Sequence, residues 1–323
     1  MKKIILAILT FMALGIYENA NAQQLPRYTQ YMFNKMVLNP GYTGSNEALS
    51  LTALYRTQWV NIDGAPTSIT LSGHSPLGDQ KKLGLGGYLE YDNIGVHNQV
   101  NAFAAYSYKF ILGESRLSLG LQGGISYRAS NYQNVQGNGL ITPDIDVPFQ
   151  NNENRLLPNF GLGLYYYQPN LFYVGAAIPY LLNNNLRDPL VDPARTPHQD
   201  RHYNFMAGVV FGKDIKISPS TLIKIVPSQA PIQFDMNLMA SLKEKIWLGI
   251  SYRFAAGNAD KALESESING IVAFQFKQIR IGYAYDYTLS ALDAFAMPLG
   301  SHEITLNYDM KGKGVRYYTP RHF

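Results

Sequence analysis

From Arg116 to Arg128 the chain reads Arg-Leu-Ser-Leu-Gly-Leu-Gln-Gly-Gly-Ile-Ser-Tyr-Arg. Leu117, Leu119, Leu121, Ile125 and Tyr127 share one parity, while Ser118, Gly120, Gln122 and Ser126 share the other. An extended chain sends successive side chains to opposite faces, so this two-residue period builds a sheet that is apolar on one side and polar on the other. The same period recurs in about fourteen segments, near 49–58, 67–74, 83–92, 98–110, 115–129, 159–168, 171–179, 203–212, 215–226, 232–242, 246–254, 267–277, 279–287 and 302–310. Many approach the roughly 9 to 11 residues that a tilted strand needs to cross a bilayer.

Which face meets water decides the fold class. Charged residues are only 15% of the chain, low for a soluble surface, and tyrosine, which tolerates a membrane interface, is abundant at 24 copies. Tyr88, Tyr91, Tyr106, Tyr108, Tyr127, Tyr165 to Tyr167, Tyr173, Tyr203, Tyr252, Tyr283, Tyr285 and Tyr308 lie toward strand ends, as interfacial girdles require. The polar parity carries ions in mid-strand. Arg56, Arg128, Asp235, Arg253, Arg280, Asp286 and Glu303 would destabilise a dry core, whereas a wet lumen with opposite partners accommodates them. The expected fold is all-β: a transmembrane antiparallel up-and-down barrel of about fourteen strands, apolar side to lipid, rather than a periplasmic sandwich or propeller.

Connection lengths orient such a barrel. Ser75 to Lys82, Ile111 to Glu114, Pro169-Asn170, Lys213-Asp214, Lys243 to Lys245 and the link at Gln278 are short. Gln133 to Pro158, Pro179 to His202, Ala255 to Glu266 and Thr288 to Ser301 are long, although Asn93 to His97 and Pro227 to Pro231 are not. Outer-membrane barrels carry short turns toward the periplasm and long loops outside, so both termini are expected in the periplasm.

Lys2 and Lys3, the apolar run Ile4 to Ile16 and Ala20-Asn21-Ala22 form a signal peptide with its cleavage site, so the expected organisation starts with a signal peptide at 1–22. A periplasmic plug or cap (23–48), the barrel (49–310) and a periplasmic tail (311–323) follow. The segment 23–48 is rich in Tyr, Met and Phe and needs cover, which either plugging the lower mouth or capping the barrel provides.

Catalytic patterns are weak. The chain has no cysteine, which excludes disulfides, thiolate metal sites and a lipidated cysteine. There is no Gly-x-Ser-x-Gly elbow, P-loop or dinucleotide fingerprint. His74-Ser75 and Ser301-His302 are neighbours that a strand points apart, and His198, Asp200 and His202 lie among prolines, where the helical spacing for a shared metal does not form. In-strand glycines such as Gly84, Gly86, Gly87, Gly161 and Gly163 suit close strand contact or curvature. No cofactor and no enzyme activity are expected, and the mild net charge of +4, without a long basic block, gives no reason to expect nucleic acid.

Several motifs are more specific. Gln30-Tyr31-Met32-Phe33-Asn34, Asn39-Pro40-Gly41-Tyr42-Thr43-Gly44-Ser45 and Tyr55-Arg56-Thr57-Gln58-Trp59-Val60 with Asp63-Gly64-Ala65-Pro66-Thr67 open the mature chain. Leu248 to Arg253, Ile281 to Asp286, Gly300 to Ile304 and a Pro320-Arg321-His322-Phe323 end follow in order. This series resembles the PorP/SprF family of type IX secretion outer-membrane proteins of the Bacteroidota across essentially the whole mature chain; His322 departs from the expected Pro-Arg-Phe tail. The resemblance implies a non-catalytic barrel that helps export or retain a large adhesin with a C-terminal secretion domain, as in gliding. Its implied partners are that secreted protein, the export channel, its periplasmic ring or a peptidoglycan-linked protein, and outer-membrane lipid.

On this view Tyr31, Phe33, Asn39, Pro40 and Tyr42 are candidate contacts of the N-terminal segment, and Trp59 is a strand-end girdle residue or a contact. Phe149, Leu156, Leu157, Leu181, Leu182, Phe295, Met297 and Leu299 are apolar anchors in outer loops, holding an exported domain or packing over the mouth. Arg56, Asp235, Arg253, Asp286 and Glu303 are expected to pair across the lumen and narrow it. A fatty-acid-transporter-like or porin-like barrel for small solutes is the alternative.

Overall fold

Each alternating segment can satisfy its backbone only by pairing on both sides, and the chain does so by closing on itself. The computed structural model describes residues 26–60, 62–131, 153–186, 198–227, 231–256, 264–289 and 300–310. The barrel strands are β1 Ser50–Thr57, β2 Thr67–Leu77, β3 Leu83–Ile94, β4 His97–Leu112, β5 Ser115–Ser130, β6 Glu153–Gln168 and β7 Phe172–Ile178. They continue as β8 Tyr203–Val209, β9 Ile215–Ile225, β10 Ile232–Leu242, β11 Ile246–Ala256, β12 Glu264–Phe276, β13 Ile279–Thr288 and β14 Gly300–Asp309. Sequential strands pair antiparallel, and β1 pairs with β14, Ser50 opposite Asp309 and Thr57 opposite His302, which leaves no free edge. The expected closed antiparallel barrel of fourteen strands is what forms.

The parity sorts as the alternation requires. Leu119, Leu121, Ile125 and Tyr127 project outward, whereas Ser118, Gln122 and Ser126 are buried toward the lumen; Leu117 is half-buried. Leu121→Arg is therefore expected to destabilise the barrel in lipid vesicles by about 2–4 kcal/mol, as a charge on the lipid face does near the midplane. Urea titration of the vesicle-folded protein measures it, and an unchanged midpoint would refute the lipid-facing assignment.

One end of the barrel carries tight turns. At 243–245, Lys243 and Glu244 have φ of 47° and 54° and the Lys245 N–H donates to Leu242 O at 2.9 Å, the left-handed turn that suits strand twist. The opposite end carries the long connections, with the Val96 turn and the link between Ile225 and Ile232 as short exceptions.

Two expectations change. β6 begins at Glu153, so Leu156 and Leu157 are strand residues and not loop anchors: Leu156 is 62% exposed on the outer face and Leu157 is buried inward. Pro158 is tolerated because β7 pairs with β6 only from Leu162, leaving this stretch a local edge. The second concerns tyrosine. Tyr91, Tyr106, Tyr108, Tyr127, Tyr252 and Tyr283 face outward, but Tyr88, Tyr165, Tyr167 and Tyr173 are buried in the lumen, where an apolar partner awaits them.

That partner is the N-terminal segment. Residues 26–48 run inside the barrel as three single-turn 3-10 helices, Tyr31–Phe33, Lys35–Val37 and Pro40–Tyr42. The described chain starts beside the long connections, where Pro26 adjoins Tyr180 and His202. It reaches the short-turn end at Glu47, paired with Arg116 at 2.8 Å, and then enters β1.

Candidate functional site: the plugged lumen and its mouth

A chain threaded through a lumen has backbone groups that water no longer satisfies, so the wall must supply partners. It does so from all around the barrel. Asn204 Nδ2 donates to Leu38 O at 3.0 Å, Asn307 Nδ2 to Phe33 O at 3.1 Å, Ser107 Oγ to Thr43 O at 2.6 Å and Lys109 Nζ to Gly44 O at 2.6 Å. Glu303 accepts from the N–H groups of Thr29 and Gln30 at 2.8 and 2.7 Å, and His74 Nδ1 from Gly44 N–H at 3.0 Å. Asn39 accepts from Gly41 N–H at 2.8 Å to start its turn and donates to Leu164 O at 3.0 Å.

Glycines bring wall and plug into backbone contact. A Cβ on Gly120 would lie 2.2 Å from the Pro40 carbonyl carbon, and one on Gly163 would lie 2.1 Å from Asn39 Oδ1. The in-strand glycine at 163 thus serves the plug rather than strand–strand contact.

Apolar packing fills one half of the lumen. Tyr42 meets the edge of Tyr165 at 5.2 Å, Tyr165 stacks on Tyr173 at 5.6 Å, and Tyr31, Met36, Met206 and Leu222 join the same cluster. Lys35 is enclosed there, its ammonium 4.9 Å from the Tyr173 ring centre and donating to Met32 O at 2.9 Å. On the other side Arg280 lies between Phe33 and Trp247, 4.6 and 5.1 Å from the ring centres.

The five ionic candidates converge on the plug. Register places Arg56 opposite Glu303 and Asp235 opposite Arg253. Arg56 Nη2 pairs with Asp286 at 2.7 Å and its Nη1 with Glu303 at 3.2 Å, and Arg253 pairs with Asp235 and reaches Asp286 at 3.8 Å. Thr29 Oγ1 donates to Asp286 at 2.7 Å, so the plug is tied directly into the cluster across the β1–β14 seam. All five ionic residues are at most 3% exposed.

Above the cluster, toward the long connections, lies a cavity of about 570 Å³. Trp59 lines it and is not an outer girdle residue; its φ of 51° is rare for a bulky side chain and is held by its N–H donating to Ser301 Oγ at 3.2 Å. Arg27 enters the cavity from the plug and pairs with Glu266 at 2.5 Å. In a separate pocket lined by Pro26, Tyr180 and Lys224, burial pushes the His202 imidazole down to about 4, so the ring is neutral at ordinary pH and its Nδ1–H donates to Asp200 O at 2.9 Å.

The remaining candidates scatter. Leu181 is half-buried, its N–H donating to Phe160 O at 2.8 Å, and Leu182 is exposed. Phe149, Phe295, Met297 and Leu299 lie outside the described residues, as do 1–25 and the tail 311–323. No metal-holding group of His, Asp or Glu occurs among the described residues. Sequence reasoning missed the luminal tyrosines, although the parity of Tyr165 and Tyr167 against Leu162 and Leu164 carries that signal.

The closed antiparallel barrel, its apolar exterior and its filled lumen define an outer-membrane β-barrel plugged by its own N-terminal segment. The sequence model of the type IX secretion system membrane protein PorP/SprF matches residues 20–308, and the chain belongs to that family. A search of curated proteins finds no match. Among solved structures the chain is similar to the CymD monoaromatic hydrocarbon channel at 10% identity, covering 89% of this chain and 94% of that one, with a TM-score of 0.47. It is also similar to a TodX mutant monoaromatic hydrocarbon channel at 11% identity, covering 85% and 92%, TM-score 0.47. The Salmonella typhi OmpF complex with daunomycin matches at 11% identity, covering 81% and 97%, TM-score 0.39.

Proposed function

We propose that this chain is a non-enzymatic component of the type IX secretion system that holds a secreted surface protein at the long-connection end of its barrel and meets the secretion machinery at the short-turn end. The observation that carries this is the filled lumen. A wall whose side chains are spent on residues 28–44 leaves no open solute path, so partners must be met at the two ends. Family membership supports the secretion role and favours it over a porin-like or fatty-acid-transporter-like one. The long-connection end is the cell-surface side in this reading, by the loop asymmetry of outer-membrane barrels. The C-terminal strand then finishes on the periplasmic side, while the plug begins at the surface side.

Deleting the gene is expected to remove one or a few large proteins from the cell surface, read by mass spectrometry of surface and medium fractions. Unchanged secretion with altered solute uptake would overturn the proposal. The purified protein is expected to be silent in planar bilayers, and a large steady conductance would contradict the plugged state.

A further inference from the structure

The outer half of β6 carries an edge that the wall leaves open. Along this strand Leu156, Phe160, Leu162 and Leu164 are exposed on the lipid side. With Tyr166 they make an apolar run of about 33 Å along the strand, or about 25 Å across the membrane at the usual tilt near 40°, which is the height of a lipid-facing band. β5 pairs with β6 as far as Glu153, but β7 pairs with it only from Leu162 to Gln168. From Glu153 to Gly161 one side of the strand therefore has no neighbouring strand among the described residues.

In an antiparallel ladder the N–H and C=O of one residue point to the same side, and the side alternates along the strand. The Phe160 carbonyl accepts from Leu181 N–H at 2.8 Å and the Pro158 carbonyl from Asn184 Nδ2 at 2.9 Å, so the even-numbered residues here face away from β5. At these two residues the chain covers its own edge. Phe160 N–H donates to Asn159 Oδ1 at 2.9 Å, and Pro158 has no N–H to satisfy. Leu156 and Asn154 are left. Both are exposed, and their N–H and C=O groups have no hydrogen-bond partner among the described residues. An open edge at the border of the lipid band is unfavourable, because hydrocarbon offers it no partner. An extended polypeptide supplies donors and acceptors at the matching spacing.

We infer that this edge of β6 receives an extended segment of the exported protein as an added strand, paired with Asn154 and Leu156 beyond the point where Leu181 and Asn184 cover the edge. The inference rests on the proposed function, since the occupant is the protein held at this end. It adds how that protein is held: by main-chain hydrogen bonds, with apolar side chains at alternate positions laid beside Leu156 and Phe160. A second copy of this chain fits less well, because two rigid barrels would meet through only the two residues that Pro158 leaves on each edge.

The chain has no cysteine, so Asn154→Cys provides a single thiol for a photoactivated cross-linker in cells. It is expected to capture the same large surface protein that gene deletion removes, whereas Ile250→Cys, exposed on the outer face of β11, should not. Leu156→Pro, added to Asn154→Cys, removes an N–H that faces away from β5 and that a strand edge can lose, so capture should fall about three- to tenfold in a barrel that still folds. Folding is checked by the mobility difference between heated and unheated samples in a gel. Leu156→Ala keeps the N–H and should cost less. In the unsubstituted protein the Leu156 amide is expected to exchange with deuterium rapidly when purified and slowly in outer membranes of exporting cells. Equal losses from Leu156→Pro and Leu156→Ala, rapid exchange in both settings, or capture of a second copy or of lipid alone would overturn the inference. Loss of the surface protein on gene deletion without capture at residue 154 would leave the secretion role standing and remove this edge from it. Unchanged secretion on gene deletion, with a slowly exchanging Leu156 amide in membranes, would overturn the secretion role and with it the identity of the added strand.

Discussion

Arg56→Ala is expected to destabilise the folded barrel by about 3–5 kcal/mol, seen as a lowered urea midpoint in vesicles and an earlier loss of the heat-sensitive gel band. The size follows from what is left behind. Asp286 and Glu303, at most 3% exposed, would keep their charges with one guanidinium removed, and Thr29 would lose the Arg56 bond at 3.1 Å that helps seat the plug. Breaking a buried pair on one side is far worse than removing it whole, because the surviving charge stays desolvated. Arg56→Met combined with Asp286→Asn and Glu303→Gln should therefore recover most of the loss, which a defect in packing alone would not. A change below about 0.5 kcal/mol for Arg56→Ala, the level of an exposed ion pair, would show that this cluster is open to water and does not hold the seam.

The second large effect is expected at Gly120. Valine there places its Cβ 2.2 Å from the Pro40 carbonyl carbon, with the Pro40 oxygen and Gly41 N–H close by, so the clash is against backbone and no rotamer relieves it. Overpacking in a core commonly costs 1–3 kcal/mol, and this site belongs at or above the upper end, about 3 kcal/mol. Since the barrel wall is held by fourteen paired strands and the plug by side-chain contacts, the plug is the part expected to yield. Ion conductance in planar bilayers should appear in Gly120→Val, together with new protease cleavage between residues 26 and 48. Gly270→Val is the control, for its Cβ would meet nothing within 4 Å, and it should match the parent in stability and silence. A silent and fully stable Gly120→Val would mean that residues 39–41 do not lie against β5.

How much of this was readable before the fold was known varies by residue. The strands were, because Leu119, Leu121 and Ile125 alternate with Ser118, Gln122 and Ser126 over a span that only a pleated strand sorts into two faces. The inward parity of Arg56, Asp235, Arg253, Asp286 and Glu303 was readable in the same way. Their partners were not: Arg56 and Glu303 are 247 residues apart and meet only when β1 closes on β14. The start of β6 was obscured by Asn and Pro composition, and Leu156 and Leu157 looked like loop residues because a locally unpaired edge admits Pro158. Tyrosine was ambiguous by nature, being suited to a lipid interface and to a packed interior alike, so Tyr165 and Tyr167 could be placed only once their neighbours were known.

By itself the sequence determined a barrel with lipid outside and polar residues inside, since a period of two is a local property of the extended chain and low charge with many tyrosines selects the membrane. It also carried the ordered motifs that place the chain in its family. Only the tertiary structure decided what fills the lumen, how residues 26–48 run through it, and which charges meet around Thr29 and Trp59. These depend on the register and diameter of a closed sheet, quantities set jointly by residues hundreds of positions apart and by the volume of the segment enclosed.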